Sequence, residues 1–460
     1  MKASINSFLI FIYGYYFYTF YDLKEFTLLS EILFLLPTLF VYLFFYKKKS
    51  YTFFFISVFY SLGYPLYFAV LYSTFDKYNY GGWLAVGNFE FLYSKINAVV
   101  YSSILIITGL FLGIYFIILF SPFNRKIEKY NVNLTVLNKS VNYWFYIGLL
   151  LILLMYILGI GRTGLEDKIV LPFGLKAFLY YLRIISLPMI GMFFLQVAYD
   201  LSNVELLRKY FFKLLVISLL ISLSSFSRSD IVLTLVPASI FLFKYPDSRF
   251  KGSLKKYFLF SILLIVITSQ LVQLIRNFAY SSDGLESVSF SEIIGLFDMF
   301  SFNDVLDNLL SLLTIRQGGA RDIGVVLNSQ YNNIKYIGDY FFQINEEAFM
   351  FDVWNFMPDE FLVEGKTFGT GFNGLSWYAF GGNYLLIFSL SLITGMFIGF
   401  IERIFIINRF ISIQIWISFF LALLFWNSFL WSKFSRIIPI ILLSLFFIKK
   451  LKSIILKNEN

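Results

Sequence analysis

The sequence predicts an all-α integral membrane protein with about twelve transmembrane helices and one large, partly helical extracytoplasmic loop. Three observations lead to this fold class. Hydrophobic residues make up 59% of the 460 residues and charged residues only 14%, whereas soluble domains are about half apolar and a quarter charged. The apolar residues form runs long enough to cross a bilayer core. Lys and Arg are concentrated in alternate connections between these runs.

The candidate spans fall into two groups separated by one long polar segment. Those before the segment form a transmembrane region over residues 1–275, residues 276–383 form the large loop, and residues 384–460 hold the last spans and a cytoplasmic tail. In chain order, the predicted spans are 7–21, 28–46, 51–72, 97–120, 141–160, 177–199, 210–226, 231–245, 257–275, 384–401, 410–430 and 437–448.

The basic residues fix the predicted orientation. With the N-terminus inside, clusters such as Lys47 to Lys49, Lys255 with Lys256, and Lys449 with Lys450 all fall on the cytoplasmic side, as the positive-inside rule requires. The same alternation puts the 276–383 loop outside and both termini in the cytoplasm. The net charge of +9 therefore reflects membrane topology, and we expect no nucleic-acid partner.

The composition also limits the chemistry. The chain has no cysteine and no histidine, which excludes disulfides, thiolate metal sites and the commonest general base. The sequence has no Asp-x-Asp pair, so we expect neither a tightly bound metal nor a cofactor. Any catalysis must rest on carboxylates, amines, guanidinium groups or hydroxyls.

Four arginines are predicted to lie at the outer membrane face. Arg228 stands in the turn SFSRSD between two apolar runs, Arg276 follows the ninth predicted span, and Arg316 and Arg321 flank two glycines in the loop. Because a guanidinium fork binds two phosphate oxygens at once, these residues are candidates for binding one anionic ligand. Asp230, in the same turn, is a candidate substrate-binding residue. The alternative is that Asp230 caps the following helix and the arginines reach lipid headgroups or loop carboxylates.

The second part of the loop holds candidate catalytic and sugar-binding residues. Glu347 and Asp352 stand among apolar residues, where a carboxylate can act as a general base. Lys366, Trp354 and Trp377 are candidates for binding substrate, the two indole rings by stacking on sugars. The alternatives are a solvated helix face for the carboxylates and an interfacial aromatic belt for the rings. Within a span, Arg183 is expected to face the bundle interior or a hydrated cavity.

Three stretches carry a resemblance to a known family. SFSRSDIVL is similar to a small-residue–Arg turn that opens a helix, with Ser227 where Gly is usual. MPDEFLVEGKTFGTGFN keeps Pro358 and Lys366 of a Pro-Arg…Lys-Pro segment but has Asp359 and Thr367 at the other two positions. GLSWYAFGGNYLLIFSLSLITGMFIG is similar to the Gly-rich helix entry that follows. Together with the span and loop architecture, the chain resembles the oligosaccharide repeat unit polymerases (Wzy type) of O-antigen and capsule biosynthesis.

The resemblance implies a fold similar to the membrane glycosyltransferases of the C class, in the bacterial inner membrane. It implies transfer of a growing glycan from undecaprenyl pyrophosphate to a sugar hydroxyl of a lipid-linked repeat unit. The implied partners are undecaprenyl-pyrophosphate-linked glycans and membrane lipid, with a chain-length regulator protein as a further candidate. The four arginines suit the departing pyrophosphate, and one of the carboxylates would accept the proton of the hydroxyl group.

Two alternatives share this architecture. A flippase for the same lipid-linked sugar would also have about twelve spans, but it would not need an ordered outer loop of roughly a hundred residues. A lipid A–O-antigen ligase, another lipid-linked-sugar glycosyltransferase, typically relies on a histidine in its outer loop, and this chain has none.

Overall fold

The structure is a computed structural model of the chain. It describes residues 50–61, 63, 96–119, 131–161, 171–172, 174–244, 251–281, 323, 327, 382–406, 410–427 and 431–457. Within these ranges nearly every residue is helical, which confirms the predicted all-α class. The predicted spans 7–21 and 28–46 and nearly all of the large loop lie outside the described residues.

Each remaining predicted span coincides at least in part with a helix. The helices are α1 (Tyr51–Ser61), α2 (Ile96–Leu119), α3 (Leu134–Ile157), α4 (Leu175–Tyr181), α5 (Leu187–Asp200), α6 (Val204–Ser225), α7 (Arg228–Lys244), α8 (Lys251–Ser281), α9 (Tyr384–Ile406), α10 (Ile411–Asn427) and α11 (Trp431–Ile455). A π-turn, Leu182–Ser186, joins α4 to α5. Several helices extend beyond the predicted spans because they continue through polar residues near the membrane surface.

Within the part of the chain that the structure describes, four helices are long and apolar enough to cross a membrane, which supports a membrane protein. These are Asn97–Ile117, Leu134–Ile157, Leu175–Asp200 and Tyr384–Arg403. Shorter apolar helices occur at Tyr51–Tyr60, Leu259–Val272 and Ile411–Phe425. The full number of spans stays a prediction.

Helices α2 and α9 run parallel and pack through glycines on both sides. Gly109 and Gly113 lie four residues apart on α2, as do Gly395 and Gly399 on α9. A Cβ atom at Gly109 would lie 2.8 Å from the carbonyl oxygen of Phe388, and one at Gly395 would lie 2.8 Å from the Cα of Leu110. Such backbone contact is typical of small-xxx-small packing in membranes, where close approach replaces the hydrophobic effect as the source of stability.

Helices α3, α5 and α6 form a second closely packed group. The indole nitrogen of Trp144 on α3 donates to the backbone carbonyl of Leu187 at the start of α5 (3.1 Å). Between α3 and α6, the Tyr210 hydroxyl donates to Asn138 (3.1 Å) and the Lys213 ammonium to Asn142 (2.5 Å). Because residue numbers rise together across these contacts, α3 and α6 run in the same direction.

One end of the helix bundle is joined by contacts distant in sequence. The N-terminus of α1 meets the last turns of α9 through Glu402, and the last turn of α5 meets α10 through Gln196, which accepts from the backbone N–H of Ser412 (2.8 Å). A two-residue antiparallel pairing of β1 (Asn131–Val132) with β2 (Leu456–Lys457) closes the same end. The assignment of this end to the cytoplasm stays a prediction.

Candidate functional site

The turn between α6 and α7 lies at the opposite end of the bundle and has an unusual backbone. Helix α6 ends at Ser225 and is capped by Phe226, which adopts a left-handed conformation with φ of 52°. The backbone N–H of Ser227 bonds to the carbonyl oxygen of Ser222 (3.2 Å), and the Ser222 hydroxyl donates to the Ser227 carbonyl oxygen (2.6 Å). This is the Schellman pattern, which usually takes glycine at the left-handed position. A side chain there costs about 1 kcal/mol or more, so the turn keeps a strained residue two positions before Arg228.

Asp230 holds this turn from within. Its carboxylate accepts a hydrogen bond from the Ser225 hydroxyl (2.6 Å) and one from the Ser227 hydroxyl (3.1 Å). Ser227 and Asp230 stand three residues apart at the first turn of α7, the spacing of a capping box. The side chain of Asp230 is buried. The geometry therefore gives Asp230 a part in shaping the turn, while its predicted role in substrate binding stays a prediction.

Arg228 is the first residue of α7 and is itself buried, with 9% of its surface exposed. A side chain that snorkels to lipid headgroups would extend away from the helices and remain exposed. The burial of Arg228 therefore argues against the alternative in which this arginine reaches lipid headgroups. The adjacent hydroxyl groups of Ser227 and Ser229 lie 2.8 Å apart and share a hydrogen bond, so the surroundings of Arg228 are polar.

A second buried arginine belongs to the same end of the bundle. Arg183 lies in the π-turn and has no exposed surface, in agreement with the expectation that it faces the interior. Its Nη2 atom donates to the carbonyl oxygen of Gly161 (3.2 Å), and its guanidinium carbon lies 5.6 Å from the centre of the Tyr180 ring. Its Nε and Nη1 atoms have no hydrogen-bond partner among the described residues.

Local backbone features explain how Arg183 comes to lie there. The π-turn adds one residue to a helical turn, so that Leu187 N–H bonds to Leu182 five residues earlier, and such turns are frequent at functional sites. Gly161 has a φ of +68°, and a Cβ atom there would lie 2.9 Å from the Tyr180 ring and 3.1 Å from Nη2 of Arg183. Glycine is therefore the residue that allows this backbone to approach the guanidinium group.

These contacts define a candidate anion site, which we call the Arg228 cluster. It comprises Arg228, Asp230 and the hydroxyl groups of Ser225, Ser227 and Ser229, and Arg183 is buried at the same end of the bundle. Two guanidinium groups and one carboxylate leave an excess of positive charge, which favours an anionic ligand in a region of low dielectric constant. Among the residues that the structure describes, no group of three potential metal ligands occurs.

Most of the other predicted site residues cannot be placed. Arg316, Arg321, Glu347, Asp352, Trp354, Lys366 and Trp377 lie outside the described residues. Arg276 lies within α8, which we predicted to end at Ile275 but which continues to Ser281. The helix is longer because the apolar pattern gives way to polar residues without a glycine or proline to end it. The convergence of the four arginines stays a prediction.

One buried charge was not among the predicted site residues. Glu402, near the end of α9, accepts from the Ser50 hydroxyl (2.5 Å) and from the backbone N–H groups of Tyr51 (2.8 Å) and Thr52 (3.4 Å). These groups are the first turn of α1, where unpaired N–H groups favour a negative charge. The only sign of this buried charge in the sequence was an acidic residue directly after the apolar run 384–401. Glu402 thus caps the N-terminus of α1 with a side chain from α9.

Comparison with protein-family models, with curated proteins and with solved structures shows no match to this chain. Function must therefore be argued from the residues of the site itself.

Proposed function

We propose that the chain is a glycosyltransferase of the bacterial inner membrane that polymerises lipid-linked oligosaccharide repeat units. The observation that carries this proposal is the Arg228 cluster, a strained turn that holds a buried arginine at one end of a bundle of apolar helices, where Arg183 is also buried. Ionisable residues at membrane depth are costly and mark functional sites by default. The resemblance of three sequence stretches to the repeat unit polymerases supplies the reaction.

In the proposed reaction, a sugar hydroxyl of the incoming repeat unit attacks the anomeric carbon of the growing glycan. A new glycosidic C–O bond forms while the bond between that carbon and the pyrophosphate oxygen breaks. The electron pair of the broken bond leaves with undecaprenyl pyrophosphate, whose added charge Arg228 would meet. The reaction consumes no nucleotide sugar and needs no cofactor, and the new chain stays on the lipid carrier of the incoming unit.

The hydroxyl proton requires an acceptor, and the chain has no histidine. Glu347 and Asp352 are the proposed general bases because each is a carboxylate in an apolar stretch of the outer loop. Asp230 is less suited to this task because both of its oxygens already accept hydrogen bonds from serines in the turn. Arg276, Arg316 and Arg321 are the proposed further donors to the pyrophosphate, and Lys366, Trp354 and Trp377 the proposed sugar contacts.

The test is substitution of Arg228 in the full chain, purified in detergent and supplied with lipid-linked repeat units. Loss of one donor to the transition state lowers rate by about 10²–10³-fold, so Arg228→Ala should leave single repeats with few long chains. Arg228→Lys should recover little, because an ammonium group lacks the planar fork of donors. Arg403→Ala is the matched control, since Arg403 is exposed near the end of α9, and it should polymerise normally.

The same assay separates the proposal from the two alternatives. A flippase only moves the lipid-linked sugar across a membrane. In detergent it would therefore form no glycosidic bond with any variant. A ligase would move the glycan to a lipid A acceptor and would not lengthen the repeat-unit chain. Normal long chains made by Arg228→Ala, at an unchanged amount of protein, would refute the role proposed for the Arg228 cluster.

A further inference from the structure

Lys213 carries a charge inside the part of α6 that the sequence predicts to span the membrane. Its ammonium group donates to the side-chain oxygen of Asn142 on α3 (2.5 Å) and lies 4.9 Å from the centre of the Phe145 ring. Both partners are neutral, and no hydrogen bond or ion pair among the described residues joins Lys213 to a carboxylate. Within the described part of the chain the charge therefore lacks a counter-ion, at a depth where an uncompensated charge is costly.

Further basic residues lie near the start of the same two helices. The Tyr210 hydroxyl on α6 donates to the side chain of Asn138 on α3 (3.1 Å), and the residues next to this pair in sequence are Lys139 and Lys209, both exposed. Lys209 also lies one helical turn before Lys213, about 6 Å along the axis of α6. Side chains four residues apart are neighbours on a helix surface.

The charge at this end of α3 and α6 is strongly positive. Arg208 is exposed beside Lys209, and Glu205 is the only carboxylate in the first two turns of α6. We call the four basic residues Lys139, Arg208, Lys209 and Lys213 the Lys213 patch. Because one carboxylate offsets only a quarter of its charge, the patch favours an anionic ligand.

Exposed aromatic rings border the patch on both helices. Phe212, next to Lys213 on α6, is 62% exposed, and Tyr143 and Tyr146 on α3 are 67% and 64% exposed. The ring of Tyr146 lies 5.8 Å from that of Phe145. Such rings suit lipid chains at the membrane interface, whereas a soluble anion would leave them uncovered. The expected ligand thus has a negative headgroup and apolar tails.

We propose that the Lys213 patch binds one anionic phospholipid, with the phosphate group against Lys209 and Lys213 and the acyl chains on the aromatic rings of α3 and α6. Basic pockets between transmembrane helices bind lipid headgroups in this manner. Asn142 positions the ammonium group for the contact. The site lies at the end of α6 remote from the Arg228 cluster, and the inference does not depend on the proposed function.

The test measures thermal unfolding of the purified full chain in neutral detergent with increasing amounts of dioleoyl phosphatidylglycerol. A ligand that binds the folded chain raises Tm, so the titration gives an apparent affinity. Dioleoyl phosphatidylcholine is the comparison lipid, because its choline group cancels the phosphate charge. Phosphatidylglycerol should bind at least about tenfold more tightly, since two lysines near its charge each contribute about fivefold.

Substitutions then locate the site. Lys213→Gln should weaken the affinity for phosphatidylglycerol about fivefold, and Lys213→Arg, which keeps the charge, should stay within about twofold of the unsubstituted chain. Lys209→Gln removes an exposed charge and should cause a loss like that of Lys213→Gln, so it tests the site even where Lys213→Gln does not fold. Lys176→Gln is the matched control, because Lys176 is exposed at the other end of the bundle, and it should bind normally.

The inference is overturned by equal affinity for the two lipids, by normal binding in Lys209→Gln or in folded Lys213→Gln, or by an equal loss in Lys176→Gln. Equal stabilisation by inorganic phosphate at the same concentration would show a site for soluble anions and would overturn it as well. None of these outcomes depends on whether the chain polymerises glycans, so a failure here and a failure of the proposed function are distinguishable.

Discussion

Replacement of Gly113 by alanine tests the packing on which the bundle depends. Gly113 lies where α2 meets the backbone of α9, and a Cβ atom there would lie 2.6 Å from the Met396 nitrogen and 2.8 Å from the Gly395 carbonyl carbon. Favourable contacts between such atoms begin at about 3.5 Å. Both neighbours are backbone atoms, so no side-chain rotation can relieve the overlap.

The helices would therefore have to separate by roughly 1 Å at this point to accept one methyl group. Overpacking of this kind costs about 1–3 kcal/mol, and separation also weakens the neighbouring contacts of Gly109 and Gly395. We expect Gly113→Ala to lower the free energy of unfolding by that amount. Leu112→Ala, at an exposed position on the same helix, should change it by less than about 0.5 kcal/mol.

The measurement is an SDS unfolding titration of the purified full chain. Equal stability of the Gly113 and Leu112 variants would refute the close packing of α2 against α9. A second readout uses the absence of cysteine in the chain: cysteines at Tyr101 and Tyr384, whose rings lie 6.4 Å apart, should be joined by a short cross-linker. Cysteines at Tyr101 and Arg403 should not, because Arg403 lies about 28 Å further along α9.

Three further outcomes are expected. Helix α8 has 31 residues and a length of about 46 Å, so cysteines placed at Lys255 and Ser281 should react with impermeant reagents from opposite sides of the membrane, and labelling from one side would overturn the topology. Polymerisation should survive EDTA, and activity lost in chelator and restored by Mg²⁺ would contradict this. Glu402→Gln should lower the free energy of unfolding by about 1–3 kcal/mol, because the amide weakens the bonds to the start of α1; Glu205→Gln, at an exposed position, is the control.

The fold class was predictable because it depends on long, simple patterns. Runs of apolar residues predict helices without any information on how those helices pack. The described helices coincide with these runs. Helix ends were less predictable: α3 begins at Leu134 rather than at 141 because Asn133 caps it, accepting from the Val136 N–H (3.2 Å). The side chain of a capping residue decides where a helix starts, and an apolar run does not record that position.

The site was predictable only where its residues are close in sequence. The turn that contains Arg228 and Asp230 could be singled out because charges there interrupt two apolar runs. The burial of Arg183 at the same end of the bundle depends on the packing of α5 beside α6 and on a π-turn, and neither leaves a local pattern in the sequence. The strain at Phe226 was equally hidden, because an aromatic residue gives no sign of a positive φ angle.

The two ends of the bundle use buried charge in different ways, and the difference separates a structural role from a functional one. Glu402 is buried but accepts hydrogen bonds from Ser50, Tyr51 and Thr52, so its charge is satisfied by the chain itself. Arg183 is equally buried but makes one such bond among the described residues. A buried group that is fully bonded stabilises a fold, whereas an under-bonded arginine at the same end of the bundle as a strained turn costs stability that packing alone would not require. That cost is understandable if the turn must present a guanidinium group at membrane depth, which is the requirement that a departing lipid pyrophosphate would impose.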